Sequence, residues 1–562
     1  MSLRETPGPE PETEPQPQLQ PPSGARKPEN STRRAAGIVG IAVIASRFFG
    51  LIREQVFAAM FGAGKLLDAY NAAFQIPNLL RDLFAEGALS TAFTTLFTRT
   101  WDREGPAPAW QLANLIVSAI IFCLGTICLL GILAAPLIVM VGNPGYHLIP
   151  GKFELTVHLT QVLFPFILFV SLAAVVMGML NARFLFGLPA SASTVFNIVS
   201  VVGGVAGAYL CDPTARANWL HPTFTERALF GVCLGVLLGG LAQLAVQLPA
   251  LVKLGYRFRW HLALKDPRLL EVWQLMWPSV IAGAAVQVNV VVNGMFASEI
   301  DGGRSWLNCA FRLMQFPIGV FGVSIATATL PAISRHFARN DLPAFGKTVR
   351  ESLRLAWFLT LPAAVGLGVL ARPIIALIYQ HGHFSAYQTA QTAMVLQAYS
   401  IGLAGYAAIK VLVPCFYALG LPKTPLRISL IGIAFNVTFN FCLIRLFGMG
   451  HAWPLALTTS CVALLNFGQL TAALSKKVDT GGFREWASYL ARVLAAAALC
   501  GDAAWFLNGV VEHYVPAGLL RALGLLWVIG VSAAVYAGAS LAFRIEETHQ
   551  AWGMIRRRLF RK

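Results

Sequence analysis

Charged side chains are scarce in this 562-residue sequence, where Asp, Glu, Lys and Arg together make up 12%. Soluble globular domains carry about 25% charged residues, whereas apolar types here reach 56% and the mean hydropathy is +0.63. This composition excludes an ordinary soluble enzyme and a disordered protein. Lys and Arg outnumber Asp and Glu by 43 to 26. In a membrane protein such an excess belongs to cytoplasmic loops, so we expect no nucleic-acid partner.

Clusters of cysteine and histidine are also lacking. The nine cysteines are scattered without a Cys-x-x-Cys pair, and the closest histidines, His381 and His383, flank a glycine in a loop. Neither pattern has the spacing of a metal site. The sequence contains no nucleophile elbow, phosphate loop or paired catalytic carboxylates. We therefore expect a protein that is not an enzyme and has no cofactor or resident metal. We interpret the cysteines as small buried apolar side chains and the histidine pair as a solvated turn.

Long apolar runs recur from about residue 37 to the end of the sequence. Fourteen of them reach the roughly 20 residues that cross a bilayer. They lie near 37–61, 67–97, 111–142, 153–180, 188–210, 228–252, 271–299, 304–334, 351–371, 388–419, 426–448, 452–474, 485–508 and 515–543. The first, second and eighth contain charges or proline, so hydropathy alone would rank them low. The sequence thus predicts an all-α integral membrane protein with about fourteen transmembrane helices.

Two polar tails flank these runs. Residues 1–36 are rich in Pro, Glu and Gln, a composition typical of a disordered segment, and residues 544–562 are basic. If the N-terminus is inside, inner segments hold 28 Lys and Arg and outer loops hold eight. The outer eight are Lys65, Lys152, Arg216, Arg227, Arg304, Arg372, Arg445 and Arg521. This bias predicts that both termini are cytoplasmic.

A faint internal repeat indicates two halves. AFQIP at 73–77 and AFRLMQFP at 310–317 begin 237 residues apart, each in the second helix of a six-helix set. Two such sets with the same orientation form a known transporter plan, although two helices rich in Ala, Phe and Pro can also match by chance. We expect an N-lobe over 37–254, a C-lobe over 271–474 and an added helix pair over 485–543.

Three arginines inside predicted spans indicate a polar cavity. An arginine at the centre of a membrane helix costs roughly 2.5–3.5 kcal/mol, so Arg47, Arg53 and Arg312 must face water or a partner. Only Glu54 is close to any of them in sequence. Ion pairs that merely stabilise helix packing are one explanation. The other is an anionic amphiphile as ligand, because guanidinium groups form paired hydrogen bonds with phosphate oxygens.

A fourth intramembrane arginine has acidic neighbours. Arg81 is followed by Asp82 and Glu86, and these two acids lie on one helix face at a spacing of four residues. Internal ion pairs are therefore a stronger alternative for Arg81 than for the other three.

Three sequence blocks resemble one family. The first, SRFFGLIREQVFAAMFGAGKLLDAYNAAFQIPNLLRDLFAEGALSTAF at 46–93, contains S-R-x-x-G-x-x-R-[DE], F-G-A-G, P-N-x-x-R and F-A-E-G-A. The others are FRLMQFPIGVFGVSIATATLPAIS at 311–334 and KVLVPCFYALGLPKTP at 410–425. The sequence resembles the MurJ family of bacterial lipid II flippases, in the multidrug/oligosaccharidyl-lipid/polysaccharide exporter superfamily. The likeness extends from about residue 37 to the end.

The resemblance implies a fourteen-helix, two-lobed transporter in the bacterial cytoplasmic membrane. Such a protein moves lipid II, the undecaprenyl-pyrophosphate-linked peptidoglycan precursor, from the inner to the outer face by alternating access. Its partners would be lipid II, membrane lipids and cell-wall synthesis proteins. By the resemblance, Arg47, Arg53 and Arg312 would hold the pyrophosphate and Glu54 would position an arginine. The last two helices would form a groove for the polyprenyl tail.

The resemblance also assigns gate residues, which are Asp68, Arg81 and Glu86. The sequence departs from the family pattern at Phe311, where an Asp is usual, and at Asp82, where a second Arg is common.

Some family members have a sodium site with carboxylates. The apparent counterparts here are Asn293, Asn436 and Asn440, all neutral, which weakens the hypothesis of a sodium site. Coupling to the membrane potential is the alternative energy source.

Two other functions remain open at this point. A drug exporter of the same superfamily would favour acidic cavity residues for cationic drugs, whereas this sequence has surplus arginine. A membrane scaffold would have no reason to keep unpaired arginines inside the membrane. A glycosyl-lipid enzyme would show a carboxylate or metal site at a membrane face, and the sequence shows none.

Overall fold

The fold is helical throughout the part of the chain that the computed structural model describes, namely residues 29–81, 89–218, 222–448, 450–516 and 518–549. The first half holds α1 (Glu29–Phe61), α2 (Lys65–Arg81), α3 (Ser90–Glu104), α4 (Pro106–Leu133), α5 (Ala135–Gly142), α6 (Lys152–Ala182), α7 (Gly187–Cys211) and α8 (Glu226–Lys253). The second half holds α9 (Pro267–Ala297), α10 (Gly303–Ala338), α11 (Leu342–Val369), α12 (Ala371–Tyr379), α13 (Ala386–Ala418), α14 (Lys423–Phe447), α15 (Trp453–Ser475), α16 (Phe483–Tyr514) and α17 (Leu519–Ala542).

Each of the fourteen predicted spans coincides with one helix or with two consecutive helices. Eleven helices in the described residues are long and apolar enough to cross a membrane, and they match the third to sixth and the eighth to fourteenth spans. The expected low ranking of the eighth span is wrong, because an 18-residue stretch of α10 has a mean hydropathy of 1.7. The all-α membrane class is confirmed, and the count of fourteen stays a prediction. The predicted tails lie mostly outside the described residues, although α1 begins at Glu29, ahead of residue 37.

Each half has its own apolar core. In the first half, Phe93 and Phe97 of α3 pack on α4 and α6. In the second half, Phe345 of α11 and Phe416 of α13 belong to one buried cluster. The pair α16–α17 joins this half, where the Tyr536 hydroxyl donates to the carbonyl oxygen of Phe358 at 2.7 Å. A third and larger buried cluster joins the halves, with Phe57 and Leu159 from the first half and Leu307 and Leu396 from the second.

Close helix packing in the first half depends on glycine. In α7 and α8, Gly207 faces Gly231, and Gly235 faces Gly204. A methyl group on Gly235 would overlap the backbone nitrogen of Gly204. Small residues let membrane helices approach this closely because lipid supplies no hydrophobic force between helices.

Helix α9 contacts both halves. Its first part, with Val272 and Met276, belongs to the apolar core of the first half. Glu271 also pairs with Arg99 of α3 at 2.7 Å. Its last part reaches α14 and α15, where Asn293 bonds side chains of both helices. The helix that the sequence places first in the C-lobe therefore connects the two halves.

Candidate functional site

Two adjoining cavities lie between α1, α2 and α10. Their volumes are about 610 and 460 Å³. They share a wall of six residues, which are Arg53, Phe74, Asn78, Arg81, Arg312 and Gln315. Arg47 lines the larger cavity and Glu54 the smaller one. We call the two together the arginine cavity. The structure thus brings together the four arginines and the glutamate that the sequence analysis singled out, which are Arg47, Arg53, Arg81, Arg312 and Glu54.

Arg53 is the most deeply buried of these arginines, with 7% of its surface exposed. Its guanidinium carbon lies 5.5 Å from the ring centre of Phe74 and 5.2 Å from that of Phe196. Aromatic faces attract a cation without neutralising it. The Nη1 atom has no hydrogen-bond partner among the described residues. Arg53 therefore holds a charged donor available at the cavity wall.

Arg312 and Glu54 form an ion pair across the cavity, from α10 to α1. Phe311, which stands where the family usually has Asp, packs instead on the Tyr399 ring at 5.5 Å between ring centres. Glu54 is thus the carboxylate that faces Arg312. Within the described chain, Arg47 and Arg53 have no carboxylate partner, so the cavity keeps a positive excess.

Arg47 lies directly against the backbone of α10. Residues Ile318–Val323 of that helix form a π-helical turn after Pro317. Proline lacks the N–H that would complete an α-helical bond, and π turns occur often at functional sites. A methyl group on Gly319 would overlap the Arg47 guanidinium. The widened turn and the glycine make room for this exposed arginine.

The smaller cavity is rich in uncharged polar side chains. Five amides line it, which are Asn71, Gln75, Asn78, Asn308 and Gln315. Amides both donate and accept hydrogen bonds. This wall suits the hydroxyl and amide groups of a neutral polar ligand beside the arginines.

A buried carboxylate lies next to the arginine cavity, where Ser305 contacts both Asp68 and the cavity-lining Asn71. Asp68 of α2 is fully buried, and its Oδ1 accepts from the Ser305 backbone N–H at 2.8 Å and from the Ser305 hydroxyl at 2.7 Å. Its Oδ2 accepts from the Gly302 N–H at 2.8 Å and from Lys152 Nζ at 2.8 Å. Lys152 Nζ also pairs with Asp301 at 3.0 Å. We call Asp68, Lys152, Asp301, Gly302 and Ser305 the Asp68 gate, after the gate role that the resemblance predicts for Asp68.

The Asp68 gate lies at the end that the basic residues predict to be outer. Its carboxylate satisfies N–H groups at the start of α10, where a negative charge is favourable. The gate therefore joins α2 of the first half to α10 of the second.

Further contacts at this end were missed by sequence reasoning. Arg304, expected in an outer loop, is buried and donates to the side chains of Asn143 and Gln75 in the other half. The backbone N–H of His383, in the expected solvated turn, donates to the Ala59 carbonyl oxygen at 2.8 Å. No sequence signal could have found these partners, because they lie far apart along the chain.

The comparisons with known proteins decide the family. A family model described as lipid II flippase MurJ matches residues 57–524. The chain belongs to the MurJ family. It is 32% identical to a probable lipid II flippase MurJ of Vibrio cholerae, over 89% of this chain and 94% of that protein. It is 33% identical to one of Rhizobium tropici, over 93% and 96%, and 31% identical to the lipid II flippase MurJ of Burkholderia cenocepacia, over 87% and 96%.

Solved structures show the same fold. A lipid II flippase MurJ in an inward closed conformation aligns with a TM-score of 0.72 at 23% identity, covering 90% of this chain and 98% of that one. An inward-facing multidrug resistance MATE transporter aligns with a TM-score of 0.64 at 14% identity, covering 77% and 96%. As a MurJ-family chain with many apolar helices, the protein is a multi-pass inner-membrane protein of a transporter family.

The three asparagines that the resemblance assigns to a sodium site lie together. Asn440 Nδ2 donates to Asn293 Oδ1 at 3.1 Å and to Asn436 Oδ1 at 3.0 Å. These two oxygens therefore already accept amide donors. The described residues contain no group of three acidic, histidine or cysteine side chains that could hold a metal. The trio has no carboxylate to compensate an ion's charge, which weakens the sodium-site hypothesis, and Asn440 Oδ1 has no hydrogen-bond partner among the described residues.

Two other predicted features have different outcomes in this MurJ-family chain. Glu86 and Asp82 lie outside the described residues. The tail groove is expected between α16 and α17, and a crevice of about 1,280 Å³ lies beside this pair, lined by α10, α11 and α16. Its wall includes apolar Phe358 but also Arg354, which pairs with Glu547 at 3.0 Å. The role of this crevice for a polyprenyl tail stays a prediction.

Proposed function

We propose that this protein is a lipid II flippase. It would carry the undecaprenyl-pyrophosphate-linked precursor from the inner to the outer face of the membrane. The observation that supports this most directly is the positive excess of the arginine cavity, in which Arg47 and Arg53 have no carboxylate partner among the described residues. The names of the MurJ relatives support the same substrate.

The chemistry of the substrate suits the cavity. A pyrophosphate cannot cross hydrocarbon unaided, because burying an unpaired charge is prohibitively costly. The unpaired Nη1 of Arg53 and the exposed Arg47 would bind its oxygens through paired, charge-assisted hydrogen bonds. Arg312 would add its charge while Glu54 positions it. The amides of the smaller cavity would hydrogen-bond the saccharide and peptide, and the polyprenyl tail would stay in lipid.

Transport would proceed by alternating access. In this proposal the Asp68 gate closes the predicted outer end, so outward release would need this gate to open while the opposite end closes. The two apolar cores would move as rigid lobes, as in other transporters with repeated halves. Since the headgroup is anionic, a membrane potential that is negative inside favours its outward movement by about 2.3 kcal/mol per charge per 100 mV.

The test is a complementation experiment in bacterial cells depleted of their own flippase. Cells carry the unmodified protein, Arg53→Ala, or the control Arg445→Ala, whose guanidinium carbon lies 4.8 Å from the ring centre of Phe441 on α14, outside the arginine cavity and the crevice. Outer-face exposure of lipid II is measured after expression and insertion are verified. We expect the unmodified protein and the control to restore exposure and Arg53→Ala to fail.

Two outcomes would contradict the proposal. If Arg53→Ala restores exposure fully, the cavity does not bind the pyrophosphate as described. If the inserted unmodified protein restores nothing, lipid II is not its substrate, and another lipid-linked saccharide or a drug-like solute becomes the better assignment.

A further inference from the structure

The Asp68 gate contains a lysine that is buried as completely as the aspartate. Lys152 begins α6, and both side chains have no exposed surface. Lys152 Nζ contacts Asp68 at 2.8 Å and Asp301 at 3.0 Å, and it lies 4.6 Å from the ring centre of Tyr146. A buried lysine without carboxylates would be strongly unfavourable. These contacts explain why Lys152 is buried near the end of the transmembrane helices, where a lysine normally faces water.

The two carboxylates around Lys152 belong to different halves. Asp68 and Lys152 are both in the first half, where α2 packs on α6. The Tyr146 hydroxyl supports them by donating to the Asp68 carbonyl oxygen at 3.2 Å. Asp301 precedes α10, which packs on α13 of the second half. Movement of one half against the other would therefore separate Lys152 from Asp301 but not from Asp68.

We propose that Lys152 is a positioning residue of the gate, which holds Asp68 in both states and contacts Asp301 only when the gate is closed. This inference rests on the alternating access of the proposed function. On opening, Asp68 loses the N–H donors of Gly302 and Ser305 but keeps its counter-ion. Its carboxylate then stays charged and aimed at the start of α10, so the gate can close again without releasing a proton.

Hydrogen exchange of the full-length protein in lipid nanodiscs, without lipid II, tests this inference. The amides of Gly302 and Ser305 donate to Asp68 only in the closed gate, so their exchange reports its opening. We expect Asp301→Asn to accelerate this exchange about two- to fivefold, the size of a partly exposed ion pair. Lys152→Met should accelerate it tenfold or more, while α7 and α8 stay unchanged.

The matched control is Lys65→Met. Lys65 is a partly exposed lysine at the same end, and its pair with Glu226 at 2.8 Å lies within the first half. The Lys65→Met variant should leave hydrogen exchange of the Gly302 and Ser305 amides unchanged. Equal acceleration in the control, or none in Asp301→Asn, would overturn the inference.

A double variant covers the case in which Lys152→Met fails to fold. Asp68→Asn combined with Lys152→Met removes the uncompensated charge, so we expect normal yield and melting temperature together with fast gate exchange. Slow exchange in the double variant would show that Lys152 only stabilises the fold, and would overturn the inference. Because no substrate is present, these results are independent of the lipid II exposure assay.

Discussion

Arg312 of α10 pairs with Glu54 of α1, a residue 258 positions earlier in the sequence. This one contact spans the arginine cavity and joins the two halves. It also divides the arginines by role, since Arg312 is neutralised whereas Arg47 and Arg53 have no carboxylate partner in the described chain. The cavity therefore has Arg312 positioned by a protein carboxylate, while Arg47 and Arg53 are available to an anion.

Replacing Glu54 with Gln should impair transport. The substitution keeps the shape of the side chain but frees Arg312, whose guanidinium can then bind elsewhere in the cavity. We expect lipid II exposure in complemented cells to fall about tenfold, the effect of a loss of roughly 1.4 kcal/mol. Glu226→Gln, which breaks only the surface pair with Lys65, is the control. Normal exposure with Glu54→Gln would rule out the role given to Glu54.

Adding a methyl group at Gly319 should displace Arg47. The Gly319→Ala side chain would overlap the guanidinium, which can move because it ends a flexible chain. We therefore expect a folded protein with an unchanged melting temperature and a severalfold loss of lipid II exposure. Gly366→Ala in α11 has open space around the new methyl group and should behave as the unmodified protein. Equal activity of both variants would contradict the placement of Arg47.

Gly235→Ala should destabilise the first half. In an exposed helix position, Gly to Ala is stabilising by about 1 kcal/mol. Here the methyl group meets the backbone of Gly204, which cannot move aside, and overpacking costs about 1–3 kcal/mol. We expect a lower melting temperature in thermal denaturation of the detergent-solubilised protein. Gly125→Ala in α4, where the space is open, should leave it unchanged or raise it. A Gly235→Ala protein as stable as this control would contradict the close α7–α8 packing.

The stability of the loop between α7 and α8 should depend on pH through the carboxyl group of Asp212. Burial alone would raise the pKa of this carboxyl, but the N–H and hydroxyl groups of Thr214 and Thr225 outweigh it and lower the pKa to about 2. Because the pKa is lower in the folded loop, the charged carboxylate stabilises that loop at pH values above the ordinary pKa of 3.8. This stabilisation is lost as the pH falls towards 2.

The Asp212→Asn variant measures this contribution. At pH 7 the Thr225 amide, which bonds Asp212 Oδ2 at 2.7 Å, should exchange on the order of tenfold faster in the variant. The difference between the two proteins should shrink below pH 4. A difference that is constant over the whole pH range would mean that the carboxylate charge is not what stabilises the loop.

Sodium should not drive transport. The trio of Asn293, Asn436 and Asn440 is neutral, and two of its three side-chain oxygens already accept amide donors within the trio. Replacing external sodium by choline at a constant membrane potential should leave lipid II exposure unchanged, whereas collapsing the potential should reduce it. Loss of exposure on sodium removal alone would show that a cation site exists elsewhere or that the trio rearranges.

Hydrophobicity, and the free-energy cost of burying a charge in a membrane, predicted the positions of most helices and the arginine cavity. The apolar runs located the helices because a bilayer demands about 20 apolar residues for each crossing. The cost of intramembrane arginine located the cavity, since Arg53 and Arg312 had to face something other than lipid. Both arguments depend only on the residues of one segment and the medium around it, not on which other helices pack there.

The gate could not be predicted in the same way. Lys152 and Arg304 read as ordinary outer-loop charges, because their partners lie on other helices and only tertiary packing brings them together. Asp68 was assigned to a gate by family resemblance, but neither the lysine beside it nor the N–H groups it accepts from were visible. The π turn at Ile318–Val323 was also missed, because neither hydropathy nor proline spacing distinguishes it from a kink.

That π turn has a consequence for how α10 faces its neighbours. A π turn holds more residues than an α turn, and one extra residue corresponds to about 100° of rotation. Before the turn, Arg312 faces α1; after it, the Thr329 hydroxyl meets that of Ser352 on α11 at 2.8 Å. The two ends of the helix are therefore in different registers. Deleting a single residue between them would turn one of these faces away from its partner while leaving the helix equally apolar.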